Sequence, residues 1–148
     1  MIQNRVKIRP AEIKDAEQIA ILCAQLGYFA TQQQIQQRLS QIQYNQAHVI
    51  YVATIENDYV TGWAHAHVCD MIVGPTQAIL FGLVVEEGYR HGGIGRLLMH
   101  HIEQWAFLLS CQGVIIRSNF KRKEAHCFYE KIGYINIKQS LTFHKILT

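Results

Sequence analysis

Three glycines, Gly92, Gly93 and Gly95, stand between an apolar run and a helix-like pattern in the stretch EEGYRHGGIGRLLMHHIEQW, residues 86–105. A strand, a glycine-rich turn and a helix start together suit the binding of an anion. The first turn of a helix leaves backbone N–H groups unpaired, and the helix dipole adds roughly half a positive charge there. Glycines let the backbone approach a phosphate and take positive φ without strain. Arg90, His91 and Arg96 flank the loop with further donors. The loop has no G-K-S/T, so it is not a Walker A site, and its R-x-x-G-x-G order is not the G-x-G-x-x-G of a dinucleotide fold. From the loop alone, two readings stand side by side: a tight strand-to-helix turn, or a phosphate cradle.

Proton-transfer chemistry has several candidate carriers. His65 and His67 fall on one face of a strand pattern, and Asp70 and Glu86 follow them. The His65-x-His67 pair raises a metal reading, but no third ligand stands at a helical or Cys-pair spacing to complete it, so no metal is expected. His100 and His101, being adjacent, point to different sides of their helix. Cys23, Cys69, Cys111 and Cys127 are far apart with no C-x-x-C pair, which favours reduced thiols in a cytosolic protein over a disulfide framework. The run Lys121-Arg122-Lys123 reads either as a phosphate contact or as a solvated basic turn.

These residues need elements to hold them. RVKIR alternates and predicts an opening strand. Ile13, Ala16, Ile19, Ala20, Cys23 and Leu26 recur at helical spacing, and Gly27 stands at the place of a C-terminal cap. In the glutamine-rich TQQQIQQRLSQIQYNQ, Ile35, Leu39 and Ile42 share one helical face, and Thr31 with Gln34 fits a capping box. From His48 the period changes to two: HVIYVATIE, the turn ND and YVTGWAHAHV predict a β-hairpin. AILFGLVV reads as a strand buried on both faces. After the glycine loop come a helix carrying Ile94, Leu97, Leu98, Ile102, Trp105 and Leu109, a buried strand GVIIR, a helix KEAHCFYEKI ended by Gly133, and a closing strand SLTFHKIL.

The order predicts a mixed α/β domain around one sheet. The chain of 148 residues suits a single domain, and 49% apolar with 17% charged residues places it among globular proteins. A net charge of +3 does not argue for nucleic acid. MIQNRVKIRPAEI carries charges where a leader needs an apolar core, and no apolar run approaches the ~20 residues of a membrane span. The expectation is a cytoplasmic protein with neither a nucleic-acid nor a membrane partner.

LFGLVVEEGYRHGGIGRLLMHHIEQWA resembles the signature segment of the GNAT superfamily of N-acetyltransferases, in which a strand feeds a Q/R-x-x-G-x-G/A loop around the pyrophosphate of acetyl-CoA. Farther on, AHCFYEKIGY resembles the family's second segment, A-x-x-F/L-Y-E-x-x-G-F/Y, and IRPAEIKDAEQIAIL is similar to its usual opening. The resemblance spans nearly the whole chain. It implies one GNAT domain over residues 1–148: a twisted, mostly antiparallel sheet flanked by helices, with acetyl-CoA as cosubstrate where two central strands splay apart. Leu83, Val84 and Val85 would pair with the pantetheine arm, and a bulge near Gly82 would leave an N–H for the thioester oxygen. Arg90, at the family's Q/R position, with His91, Gly92, Gly93, Ile94, Gly95 and Arg96 would hold the pyrophosphate. By the same resemblance Asn119, the nearest asparagine, would be a further CoA contact, although the family's asparagine position is occupied by Arg122. Tyr129 would be the general acid that protonates the departing thiolate.

The implied reaction is direct attack on the thioester by a primary amine of a small molecule, peptide or protein. Many family members carry a glutamate base early in the signature strand, where this chain has Ile79 and Leu80. That leaves His65, His67, Asp70, Glu86 or water to take the proton. Tyr28, Phe29, Tyr44 and Trp63 are aromatic candidates for the acceptor side or for the core. A non-catalytic acyl-CoA-binding or sensing module of the same fold is the rival reading. Family members are often homodimers, and no residue pattern here identifies an interface.

Overall fold

Alternation in the opening residues produces a short strand, β1 (Lys7–Pro10), in a computed structural model that describes residues 5–148. Residues 1–4, and with them the start of the stretch read for a leader, lie outside the described residues. Helix α1 (Ala16–Gln25) follows, and Gly27 ends it with φ of 90°, where glycine avoids the cost of a Cβ. Helix α2 (Gln32–Ile42) begins with the capping box its sequence implies: the Gln34 amide donates to Thr31 Oγ1 at 3.1 Å, and the Thr31 amide donates to Gln34 Oε1 at 2.9 Å. Ile35 and Leu39 are buried, and its glutamines form the outer face.

Strands β2 (His48–Ile55), β3 (Tyr59–Met71) and β4 (Gly74–Val85) form the antiparallel meander, and helix α3 (Ile94–Leu108) leads to β5 (Val114–Ile116). Asn57 and Asp58 both take positive φ in the β2–β3 turn, the backbone that Asn and Asp tolerate best. Among the described residues the sheet has five strands in the order β1-β2-β3-β4-β5, and β4–β5 is its parallel pair.

Side-chain alternation sorts the sheet into two faces. Val52, Val60 and Val84 join Ile19, Leu22, Ile35 and Leu39 in one core with α1 and α2. On the other face Ala53, Ala64 and Ala66 are fully buried, and their small size lets α3 approach β2, β3 and β4. Gly62 belongs there too, because a Cβ on it would lie 2.8 Å from the Val84 carbonyl oxygen and 3.4 Å from Leu98 Cδ1. At the sheet's edge Arg9 grips the buried Asp15 with two hydrogen bonds of 2.8 Å, and its NH2 also donates to Asp58 at 3.0 Å. These bonds hold the Arg9 guanidinium firmly protonated, Asp15 contributing most, and the Lys14 and Arg9 hydrogen bonds pull Asp58 down to about 2.

Chain contacts divide the protein into two units, Met1–Arg117 and Ser118–Thr148. In the second, α4 (Lys123–Lys131) ends at Gly133 with φ of 104°. Two strand expectations change. GVIIR becomes the half-buried edge strand β5 rather than a strand buried on both faces. SLTFHKIL forms no strand: residues 135–148 have no regular structure, since a strand exists only through hydrogen bonds to a neighbour.

Candidate active site

The glycine stretch forms the strand-to-helix turn that both readings of it share. β4 ends at Val85, a short turn follows, and His91 (φ 66°) and Gly93 (φ 89°) reverse the chain into α3. Gly93 is the N-cap and has no side chain to satisfy the first N–H groups of α3, a helix start of the kind that suits an anion. Ile94 anchors the turn in the core at 1% exposure, whereas His91 and Arg96 are exposed. Arg90 has a different task from the free donor suggested by its position. Its Nε donates to the Val85 carbonyl at 2.8 Å, and its NH2 reaches Gln25 Oε1 at 3.4 Å. Gln25 Oε1 also accepts from the Glu87 amide at 3.2 Å, so the end of α1 and the loop are tied together.

β4 and β5 pair only from Ala78 to Leu80 against Val114 to Ile116. Beyond Leu80, β4 continues to Val85 with β3 on one side and no β5 partner on the other. On that side Leu83, Val84 and Val85 therefore have no strand partner among the described residues, although the Val85 carbonyl accepts from Arg90, and this edge leads directly to the glycine loop. An extended chain can add to such an edge. The bulge expected near Gly82 is present: His65 pairs with Gly82 and Ala66 with Leu80, which leaves Phe81 as the extra residue. Gly82 is required there, because a Cβ would meet Trp63 Cη2 at 2.7 Å.

Next to the bulge lies a cluster of aromatic rings on the α1–α2 face of the sheet. His48 Nδ1 and His65 Nε2 are 3.0 Å apart and share one hydrogen bond. His67 stands with its ring 4.4 Å from that of His48, and Phe81 lies against both His65 and His67 at 5.2 and 5.8 Å. Burial, and then the neighbouring histidines, push His65 down to about 4, and His48 is also lowered, first by burial. Both imidazoles are thus neutral near pH 7. The other proton-acceptor candidates have local partners: Glu86 accepts from the Tyr59 hydroxyl at 2.8 Å, and Asp70 from the Thr76 hydroxyl at 2.7 Å. His48 was not singled out from the sequence. Counting back from the 57–58 turn would have found it, since the hairpin register pairs it with His67. Among the described residues, no group of three or more His, Cys, Asp or Glu is arranged to hold a metal ion.

Tyr28, Phe29 and Tyr44 are exposed, while Trp63 packs against the α1–α2 core, with a buried Nε1 that has no hydrogen-bond partner. In the second unit, Tyr129 is buried between Phe128 and Tyr134, at ring distances of 5.4 and 6.2 Å. Burial raises its phenol, with Arg122 opposing, and so keeps it protonated at neutral pH. Asn119 is occupied locally. Its side-chain oxygen accepts from the Lys121 amide at 2.9 Å and its carbonyl from His126 Nε2 at 2.9 Å, bonds that shape the turn into α4. Lys121, Arg122 and Lys123 are exposed.

The family model described as Acetyltransferase (GNAT) family matches residues 15–134. Solved structures share the fold. Glucosamine-6-phosphate N-acetyltransferase from Arabidopsis thaliana superposes with a TM-score of 0.82 at 22% identity, over 94% of this chain and 97% of that one. Aminoglycoside antibiotic 6'-N-acetyltransferase AAC(6')-Ih from Acinetobacter baumannii gives 0.83 at 18% identity, over 97% and 99%. AAC(6')-Iy, in complex with the bisubstrate analog CoA-S-monomethyl-acetylneamine, gives 0.81 at 15% identity, over 96% and 99%. A search of curated proteins found no match. Among the described residues, no helix is long and apolar enough to cross a membrane.

Proposed function

Because this chain belongs to the acetyltransferase (GNAT) family, we propose that it is an acetyl-CoA-dependent N-acetyltransferase acting on a primary amine. The observation that carries this reading is the stretch of β4 beyond Leu80, which has no β5 partner and runs, past the Arg90-held Val85 carbonyl, into the N-terminus of α3 that no side chain caps. An extended pantetheine arm and a pyrophosphate have the length and charge for those two features. Bound acetyl-CoA supplies the thioester that the amine attacks directly. Arg90 holds the loop in shape through Val85 and Gln25, while His91, Gly92, Gly93, Ile94, Gly95 and Arg96 surround the anion. Asn119 has its side-chain oxygen committed to the turn before α4, so its part in CoA binding is to shape that turn.

An alkylamine near pKa ~10.4 is protonated at pH 7 and must lose a proton before it attacks. That proton leaves through water in this reading: His65, neutral, half-buried beside the β4 bulge and hydrogen-bonded to His48, accepts a hydrogen bond from that water, while burial and the neighbouring histidines oppose its taking the charge itself. Tyr129, kept protonated by burial, gives a proton to the departing sulfur. The acceptor is a small molecule, peptide or protein bearing a primary amine. Two of the structural neighbours are by name N-acetyltransferases of glucosamine-6-phosphate and of aminoglycosides, which supports an amino sugar within that class. The protein acts in the cytoplasm.

A second reading, an acyl-CoA-binding module without turnover, draws on Ile79 and Leu80, which are buried and cannot act as bases. Thiol release from acetyl-CoA in the presence of a panel of amines separates the two. Turnover on at least one amine is expected. Tight binding of acetyl-CoA with no turnover on any amine would favour the sensing module.

A further inference from the structure

The turn that leads β4 into α3 has little core beneath it. Glu87, Gly88, Arg90 and His91 are exposed, so packing does not fix their backbone course. The turn is pinned at both ends. At its start the Glu86 amide donates to the Thr61 carbonyl at 2.7 Å, and the Glu86 carboxylate accepts from the Tyr59 hydroxyl at 2.8 Å. At its far end Ile94 is buried in the core. Between these pins the chain takes positive φ at His91 and Gly93. Small rotations in such a stretch would swing the first α3 amides away from a common point, and an anion needs them to converge.

A side chain from α1 reaches this middle stretch. Gln25 closes the last turn of α1, a helix seated on the sheet by the buried Ile19, Leu22 and Cys23, so its position is firm. Gln25 Oε1 accepts from the Glu87 amide at 3.2 Å and from Arg90 NH2 at 3.4 Å. Arg90 Nε in turn donates to the Val85 carbonyl at 2.8 Å, which closes the turn on the end of β4. Both partners of the Gln25 carboxamide are donors only, so its oxygen and not its nitrogen must face the turn. These partners lie 62 and 65 residues from Gln25 along the chain, so no local turn preference supplies the bonds.

We propose that Gln25 is a positioning residue for the donor: by holding Glu87 and Arg90 against the end of α1, it keeps the glycine loop in the course that receives a pyrophosphate. The inference rests on the acetyl-CoA reading of that loop. Gln25 acts through Arg90 and the loop backbone rather than on the reacting atoms. Its loss therefore lowers the share of chains ready to bind the donor and leaves the chemical step alone. Apparent affinity falls by that share. Exposed hydrogen bonds of this kind shift an equilibrium by about 2- to 10-fold each, so losing both weakens donor binding by about 10-fold or more.

Two variants separate the acceptor from the bulk of the side chain. Gln25→Met keeps its length without the acceptor, and Gln25→Glu keeps the acceptor. Hydrogen exchange of the ligand-free chains, calorimetric titration with acetyl-CoA and steady-state turnover on an accepted amine test the proposal together. In Gln25→Met, exchange in the turn from 86 to 93 is expected to quicken about 10-fold, with β2–β4 unchanged. Its Kd and KM for acetyl-CoA should rise about 10-fold at an unaltered kcat. Gln25→Glu should restore slow exchange in the turn, which a side chain needed only for packing would not do. If Gln25→Met keeps wild-type exchange and affinity, the positioning role is overturned and the acetyl-CoA reading stands. A lower kcat at unchanged affinity overturns it as well. A wild type that does not bind acetyl-CoA removes the reading itself and this role with it.

Discussion

Replacing His65 with glutamine should make the protein less sensitive to acid, and the size of the effect follows from the histidine cluster. His65 sits at about 4 in the folded chain against an ordinary value of 6.5, because burial and two neighbouring histidines oppose its charge. The unfolded chain therefore binds a proton more readily than the folded one between those two values. Stability from this group is fully present above pH 6.5 and is lost as pH falls toward 4. At pH 5 the loss is about 2 kcal/mol, rising to about 3 kcal/mol below pH 4. Asp58, held near 2, does not titrate across this window. Urea unfolding of wild type and His65→Gln at pH 7 and pH 5 isolates the contribution of His65, since titrations common to both chains cancel. The variant should lose about 2 kcal/mol less than wild type between the two conditions. Equal losses would refute the reasoning, because they would mean that the folded protein accommodates a charged His65 freely.

Three further substitutions have outcomes fixed by contacts. Asp15→Asn keeps the shape of the buried group but removes the charge that Arg9 grips, and should cost about 2 kcal/mol in chemical denaturation. No measurable cost would show that Asp58 at 3.0 Å and Glu12 at 3.2 Å suffice for Arg9. Gly82→Ala forces a methyl against the Trp63 ring at 2.7 Å and should destabilise by about 1–3 kcal/mol; unchanged stability would mean that the indole moves aside. Tyr129→Phe should lower kcat for acetyl transfer by about 100-fold while leaving acetyl-CoA affinity unchanged, and an unaltered kcat would remove the general-acid role.

Much of the architecture was legible because local chemistry and tertiary packing agree. Thr31 and Gln34 announce the start of α2, Gly27 and Gly133 stop their helices with positive φ, and the alternation on either side of Asn57-Asp58 sets the hairpin. The glycine loop was legible for the same reason: its backbone needs are local. Pairing between distant segments was not. The end of β4–β5 pairing at Leu80 decides which residues have a free edge, and no feature of AILFGLVV announces that limit. His48 escaped notice because its meaning lies in register, not in its neighbours along the chain. The closing segment SLTFHKIL shows the limit most plainly. Its pattern is that of a strand, but a strand needs a partner, and sequence periodicity does not say which edge supplies one.

The central claim is that the β4 edge and the glycine loop hold the acyl-CoA donor, and calorimetric titration of the purified protein with acetyl-CoA tests it most directly. Arg90→Glu is the matched control, since it breaks the bonds to Val85 and Gln25 and places a negative charge beside the anion site. The wild type is expected to bind at micromolar concentration, and the variant at least ~10-fold more weakly. A wild-type chain that shows no binding at millimolar acetyl-CoA would reduce the glycine loop to a strand-to-helix turn and contradict the account.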